Sequence, residues 1–423
     1  MHHTLEDPLT RLIAQVLAIL VLSRIIHAIL RPLREPFAVA EMLAGILLGP
    51  SLLGWLAPSA SATLFPPASL DILHLVGQLG LVFFMFVVGL ELDLDLLRNH
   101  RRTSLVISIG GIVTPFLIGI AVGYALYPIL STPDVSRTAF SLFVGVALSV
   151  TAFPVLALIL RELRLHTLEL GAITTAAAAA DDVLAWALLA FVLAIARSHD
   201  FTGALITLSL TVGFVVAMFG VVRPALERLA RRRAAPVTRS LIAIASIAAL
   251  ASSGVTELIG VHALFGAFVL GVIMPREGGV AQAMVGRLED LVLLVWLPVF
   301  FASTGLRTEI GLLASGQDWA VCGCIIVAAC VGKIGGAGLS ARLLGFGWRE
   351  SGTIGLLMNT RGLMELVVLS IGLELGILSR LTFSMMVVMA ITTTFMTTPL
   401  VHLFHGARVV AARRGAAASR EAA

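Results

Sequence analysis

Two adjacent carboxylates, Asp181 and Asp182, sit at the centre of the apolar run AITTAAAAADDVLAWALLAFVLA, residues 172–194. That run is long enough to cross a bilayer as a helix. An aspartate at mid-membrane costs roughly 2.5–3.5 kcal/mol on insertion scales, so it normally faces protein or water and marks an ion or proton path. Two side by side are worse, because ionising both sets like charges together where nothing solvates them. A proton or a metal cation would relieve that repulsion. The bland alternatives are a structural salt-bridge partner or a helix end placed at the interface. Long apolar sequence on both sides weighs against the second.

A second anomaly lies in the basic residues. Of 29 Lys and Arg, 28 are arginine, and the one lysine, Lys333, falls in the middle of the span CIIVAACVGKIGGAGLSARLL. Buried lysine can lose its proton, whereas arginine keeps its own at any accessible pH. The alternative for Lys333 is snorkelling to the interface. Gly332 and Gly336 form a G-x-x-x-G around it, and Ala176 to Ala180 give the aspartate helix a flat side. Such surfaces allow close helix approach, which makes a Lys333–Asp181 pair across them geometrically reasonable.

Two further runs carry breaks. FVGVALSVTAFPVLALIL places Thr151 and Pro154 mid-span, and Pro154 removes a backbone donor and frees upstream carbonyls. GLLMNTRGLMELVVL places Asn359, Thr360, Arg361, Gly362 and Glu365 at membrane depth. Arg361 and Glu365, at i and i+4, are expected to neutralise each other as structural support. Broken helices at matching places in two inverted halves point to the midplane site of a secondary transporter.

These residues need a scaffold, and composition supplies its class. The chain has 423 residues, 58% hydrophobic and 13% charged, with a mean hydropathy of +1.01. A soluble domain of that size could not hide so much apolar surface, so the reading is an all-α polytopic membrane protein. Thirteen candidate spans follow: 9–30, 37–56, 70–90, 104–130, 138–160, 168–196, 202–222, 240–258, 260–275, 288–305, 318–341, 351–376 and 382–404. The fifth and twelfth are the broken ones, an odd offset that implies opposite orientation. No cleavable signal is expected, since the first apolar run carries Arg24 and lacks a small-residue cleavage site. Cys322, Cys324 and Cys330 share one span and read as packing residues rather than a disulfide or metal framework. No cofactor is expected, and no nucleophile–base constellation or phosphate loop argues for an enzyme.

Basic residues set the orientation. Odd-numbered connections hold Arg31 and Arg34; Arg98, Arg101 and Arg102; Arg161 and Arg164; a cluster from Arg228 to Arg239; Arg276 and Arg287; and Arg342 and Arg349. Even-numbered connections hold only Arg137, Arg197, Arg307 and Arg380. The expectation is an N-terminus outside and a C-terminus in the cytoplasm. The formal net charge of +4 is this bias rather than a nucleic-acid surface.

The chain resembles the second family of monovalent cation:proton antiporters, the group of Kef-type and plant cation/proton exchangers. The matching stretches are AEMLAGILLGPSLLG (40–54), FVVGLELD (86–93), SVTAFPVLALIL (149–160), AAAAADDVLAW (176–186), GVHALFGAFVLG (260–271) and MNTRGLMELVVLSIGLELG (358–376). The resemblance implies about thirteen helices in inverted repeats, with a core domain, a dimerisation domain and two crossed, unwound helices. It implies an inner-membrane homodimer exchanging Na+ or K+ for H+. By position, Asp182 would be the principal ion and proton carboxylate, Asp181 its partner and Lys333 the cation paired with Asp181. Thr151 and Asn359 would lie at the two breaks.

Kef-type members often carry a C-terminal nucleotide-binding domain. Here the transmembrane domain is expected over 1–405, with a short basic cytoplasmic tail over 406–423 and no such module. Two rival classes share the architecture: a cation channel or uniporter, and a sodium-coupled solute carrier. The second would need a roomier cavity with polar or aromatic contacts, and the chain has two tyrosines and five tryptophans. Sequence does not choose among Na+, K+ and Li+.

Overall fold

The computed structural model describes residues 7–30, 37–91, 101–132, 135–163, 165, 168–197, 201–232, 239–275 and 280–421, and these residues form helices and turns, with no strand among them. Arg31, Arg34, Arg98, Arg164, Arg233 and Arg276, used above for orientation, lie outside the described residues.

In chain order the helices are α1 (Pro8–Leu30), α2 (Phe37–Leu48), α3 (Pro67–Glu91), α4 (Arg101–Leu130), α5 (Arg137–Ser149), α6 (Phe153–Glu162), α7 (Glu169–Arg197) and α8 (Phe201–Ala217). Next come α9 (Arg239–Ile259), α10 (Ala263–Ile273), α11 (Val280–Leu291) and α12 (Leu297–Leu306). The last four are α13 (Gly316–Leu343), α14 (Trp348–Met358), α15 (Leu363–Glu374) and α16 (Arg380–Glu421). Short helices at Leu53–Leu56 and Pro58–Leu64 follow α2. A π-helical turn at Met218–Val222 carries α8 into Arg223–Arg232, and another at Val292–Trp296 joins α11 to α12.

Among the described residues, ten helices are long and apolar enough to cross a membrane. The expected spans outside that set are the fifth, ninth and twelfth. The ninth is the short helix α10, which follows a turn at Gly260 with φ of 94°. The fifth is divided into α5 and α6, and the twelfth into α14 and α15. Pro154 occupies the first turn of α6, where its missing N–H costs no helical bond. α16 runs as one helix past residue 405, across the boundary expected for the tail.

The chain forms two compact units. One comprises residues 1–93 and 193–308. Within it, α2 and α12 touch backbone to backbone: a Cβ at Gly45 would strike Ala302, and one at Gly305 would strike Met42. α3 and α10 meet the same way through Gly89 and Gly271.

The other unit comprises residues 94–192 and 309–423, gathering the expected fourth to sixth and eleventh to thirteenth spans. Its core joins Ile107 of α4, Leu156 and Ile159 of α6, and Ala177 and Ala178 of α7. Ala337 of α13 and Ile354 and Leu357 of α14 complete it. The G-x-x-x-G face takes a different partner from the one expected. A Cβ at Gly332 would lie 2.7 Å from Pro115 Cα, and one at Gly336 would strike the Gly110 carbonyl, so both glycines pack α13 against α4 rather than α7. Small residues permit close approach without specifying which helix approaches.

Candidate functional site

All the polar residues singled out at membrane depth belong to the second unit, and the two breaks organise them. α5 ends at Ser149, and Val150 turns extended with ψ of 136°. Its last carbonyls therefore have no helical donor. The Arg361 guanidinium donates to two of them, Ala147 O at 2.9 Å and Leu148 O at 2.6 Å. The Lys333 ammonium donates to the third, Ser149 O. Two cations thus stand at the negative end of one half-helix.

The second break begins after Met358, and Gly362 is extended before α15 starts. The breaks hold each other. The Thr151 hydroxyl donates to Met358 O at 3.0 Å, and the Ala152 N–H donates to Thr360 O at 3.0 Å. A Cβ at Gly362 would lie 2.9 Å from Val155 Cγ2, so the two breaks pack closely at this point. The Thr394 hydroxyl, from α16, donates to Arg361 O at 2.7 Å.

Against this frame α7 sets its two carboxylates, both wholly buried. Asp181 is satisfied. Lys333 Nζ lies 3.0 Å from its Oδ2 and 3.2 Å from its Oδ1, and the Thr151 N–H donates to Oδ2 at 3.0 Å. Asp182 is not: neither of its oxygens has a hydrogen-bond partner among the described residues. The Phe153 N–H at the start of α6 acts on it electrostatically without meeting hydrogen-bond geometry. The positive end of α6 therefore faces the aspartates while the negative end of α5 faces the cations.

Arg361 and Glu365 pair at 3.1 Å, both fully buried. Asn359 caps α14, its amide nitrogen 3.6 Å from Cys330 Sγ and its carbonyl oxygen unpartnered among the described residues. The Thr360 hydroxyl is likewise unpartnered. Thr151, Asp181 and Lys333 are thus directly joined, and Arg361 with Glu365 forms a second ion pair.

A family model described as "Sodium/hydrogen exchanger, transmembrane" matches residues 17–403. The chain belongs to the sodium/hydrogen exchanger family. Cation/H(+) antiporter 17 of Arabidopsis thaliana is 45% identical over 402 residues, covering 94% of this chain and 48% of that protein. Na(+)/H(+) antiporter NhaS4 of Synechocystis is 38% identical over 398 residues, covering 93% of this chain and 97% of that protein. K(+)/H(+) antiporter 1 of Saccharomyces cerevisiae is 35% identical over 418 residues, covering 96% of this chain and 47% of that protein. The chain spans about half the length of the plant and yeast relatives it matches. The solved structure of the sodium proton antiporter MjNhaP1 from Methanocaldococcus jannaschii shares the fold, with a TM-score of 0.67 and 16% identity over 95% of this chain and 98% of that one.

Sequence reasoning missed several partners in this exchanger-family unit. Ser149 supplies a carbonyl to Lys333, and Ala147 and Leu148 supply carbonyls to Arg361. The signal available was Pro154, which announces stranded carbonyls just upstream without naming the donors. Thr394 had no signal beyond being a hydroxyl in an apolar run. Gly111 was also passed over, although a Cβ there would sit 4.0 Å from Asp181 Oδ1.

Proposed function

We propose that this chain is a secondary antiporter that exchanges a monovalent alkali cation, Na+ or K+, for H+ across the cell membrane. The observation that carries the reading is Asp182: a fully buried carboxylate with no hydrogen-bond partner among the described residues, one position from an ion-paired aspartate. A buried carboxylate left without compensation is strongly disfavoured, so this one takes up either a proton or a cation.

The charge count supports competition. Among the described residues, the buried acidic and basic side chains of this unit are Asp181, Asp182, Glu365, Lys333 and Arg361. Three acids against two bases leave one negative charge when all are ionised. One alkali cation neutralises the set, and so does one proton. Both together leave it positive. Oxygen ligands suit a hard cation, and the unpartnered oxygens of Asp182, Asn359 and Thr360 are of that kind.

The cycle follows. With the site open to one side, a cation displaces the proton from Asp182; open to the other, a proton displaces the cation. If only loaded forms cross, the two fluxes are coupled. Lys333 neutralises Asp181 when the site is empty, and Arg361 with Glu365 holds the crossing rigid. In this reading the chain crosses the membrane thirteen times, with α5–α6 and α14–α15 as two unwound, crossed passages. The second unit is the moving core and the first the dimerisation scaffold, with the N-terminus outside and the C-terminus in the cytoplasm of a plasma membrane. Alternating access is core movement about that scaffold.

The test is cation-triggered proton efflux from proteoliposomes, scanned over Na+, K+ and Li+ with and without a clamped potential. Saturable efflux that needs the cation is expected from wild type, and none from Asp182→Asn. Cation flux with no proton counter-movement would make the protein a channel or uniporter.

A further inference from the structure

We infer that the second unit carries a phospholipid site, an apolar groove between α13, α14 and α16 that takes an acyl chain of an anionic glycerophospholipid. The groove measures about 370 Å³. It is lined by Ile334, Gly335, Gly338 and Leu339 on α13, Gly352 on α14 and Phe404 on α16. It is a gap between spans rather than a flaw in packing. One turn away the same helices touch: a Cβ at Gly355 would lie 2.6 Å from the Ile334 carbonyl, whereas one at Gly335 would meet nothing within 4 Å.

Chemistry changes along the groove. Gly335 and Ile334 lie toward mid-span, beside Lys333. Residues 338 and 339 are one turn nearer the helix end, and Trp348 and Arg349, in the first turn of α14, line the opposite end. Trp348 is 70% exposed, and the Arg342 guanidinium sits 5.1 Å from its ring. Arg342 also donates to Phe346 O at 2.9 Å, which places it on the connection between the helices. An exposed tryptophan flanked by arginines at a span's end marks the headgroup level. Glu350, the acid nearest in sequence, accepts from the Gly347 N–H and caps α14. The groove is thus hydrocarbon inside and cationic at its mouth.

That polarity selects the occupant. A headgroup without net charge would leave the positive charge of Arg342 and Arg349 unbalanced; a phosphate without a chain would leave the apolar walls open. An anionic glycerophospholipid satisfies both, since juxtamembrane arginines are drawn to an anionic leaflet. The groove backs onto the stretch of α13 that holds Lys333 and onto α14, which Asn359 caps. A seated chain would therefore steady the helices that present the site.

Native mass spectrometry of the purified full chain, released from detergent after incubation with phosphatidylglycerol or phosphatidylcholine, tests this. Wild type should retain phosphatidylglycerol adducts in preference to phosphatidylcholine. Arg349→Gln, alone and with Arg342→Gln, should reduce phosphatidylglycerol retention to the phosphatidylcholine level. Gly335→Leu fills the groove without striking backbone and should lose adducts of both kinds while keeping the wild-type melting profile in detergent. Wild-type retention and preference in both Gly335→Leu and the double arginine variant would overturn the site, placing the lipid elsewhere on the surface. Should Gly335→Leu fail to fold, the arginine variants, whose side chains are exposed, decide the matter alone.

Discussion

Lys333 and Arg361, on separate elements, close the same helix end: one donates to the carbonyl of Ser149 and the other to those of Ala147 and Leu148. Each is also an ion-pair partner, Lys333 to Asp181 at 3.0 Å and Arg361 to Glu365 at 3.1 Å. Both cations therefore serve a half-helix and a carboxylate together, and removing either leaves two kinds of buried polar group uncompensated.

Arg361 is the structural member of the two. Arg361→Gln strands two carbonyls and leaves Glu365 charged without its partner. Breaking a buried pair from one side costs about 3–5 kcal/mol. The purified variant should melt well below wild type in detergent, and Arg361→Lys should recover only part, since an ammonium lacks the planar fork. A wild-type melting temperature for Arg361→Gln would remove the crossing from its charge.

For Lys333 the expectation is a coupled loss. Lys333→Gln leaves Asp181 alone, and Asp181→Asn leaves Lys333 alone. Each should destabilise by about 3–5 kcal/mol, and the double variant should regain much of that loss because the partners vanish together. Thermal unfolding of the four proteins measures the coupling. Additive losses would mean that the 3.0 Å contact carries no energy. The same single variant should change the pH profile of transport.

Thr151 joins the two breaks through one hydroxyl. Thr151→Val leaves Met358 O buried without that donor, at about 1–3 kcal/mol, whereas Thr151→Ser keeps it. Half-saturation for the cation should rise in the valine variant and stay near wild type in the serine one. Equal values in the two would assign the residue a packing role.

Much of the site was legible because its chemistry is improbable in a membrane. Asp181, Asp182 and a solitary lysine stand out against apolar sequence, and the proline at 154 announces a helix break. Partnerships between elements were less legible. Gly332 and Gly336 signalled close packing, but the partner, α4, is chosen by how the spans cross. The recipients of Lys333 and Arg361 are backbone carbonyls, and carbonyls carry no sequence signature. Asn359 was readable as a residue at the break, yet its bond to Cys330 Sγ depends on α13 and α14 lying side by side.

Asp182 can be neutralised without orphaning anything. Because its oxygens have no hydrogen-bond partner among the described residues, Asp182→Asn should fold and melt at or above the wild-type temperature. Proton exchange should nevertheless fall on the order of a hundredfold or more, the equivalent of about 3 kcal/mol of lost binding. A variant that both folds and exchanges normally would take Asp182 out of the mechanism.

Competition for one buried carboxylate is the central claim, and the pH dependence of cation half-saturation tests it most directly. In proteoliposomes at fixed proton gradient, half-saturation should rise about tenfold for each unit that pH falls below the carboxylate's titration, since one proton displaces one cation. It should level off above that range, where no proton remains to displace. A half-saturation that stays the same down to the lowest pH at which coupled exchange runs would contradict the account.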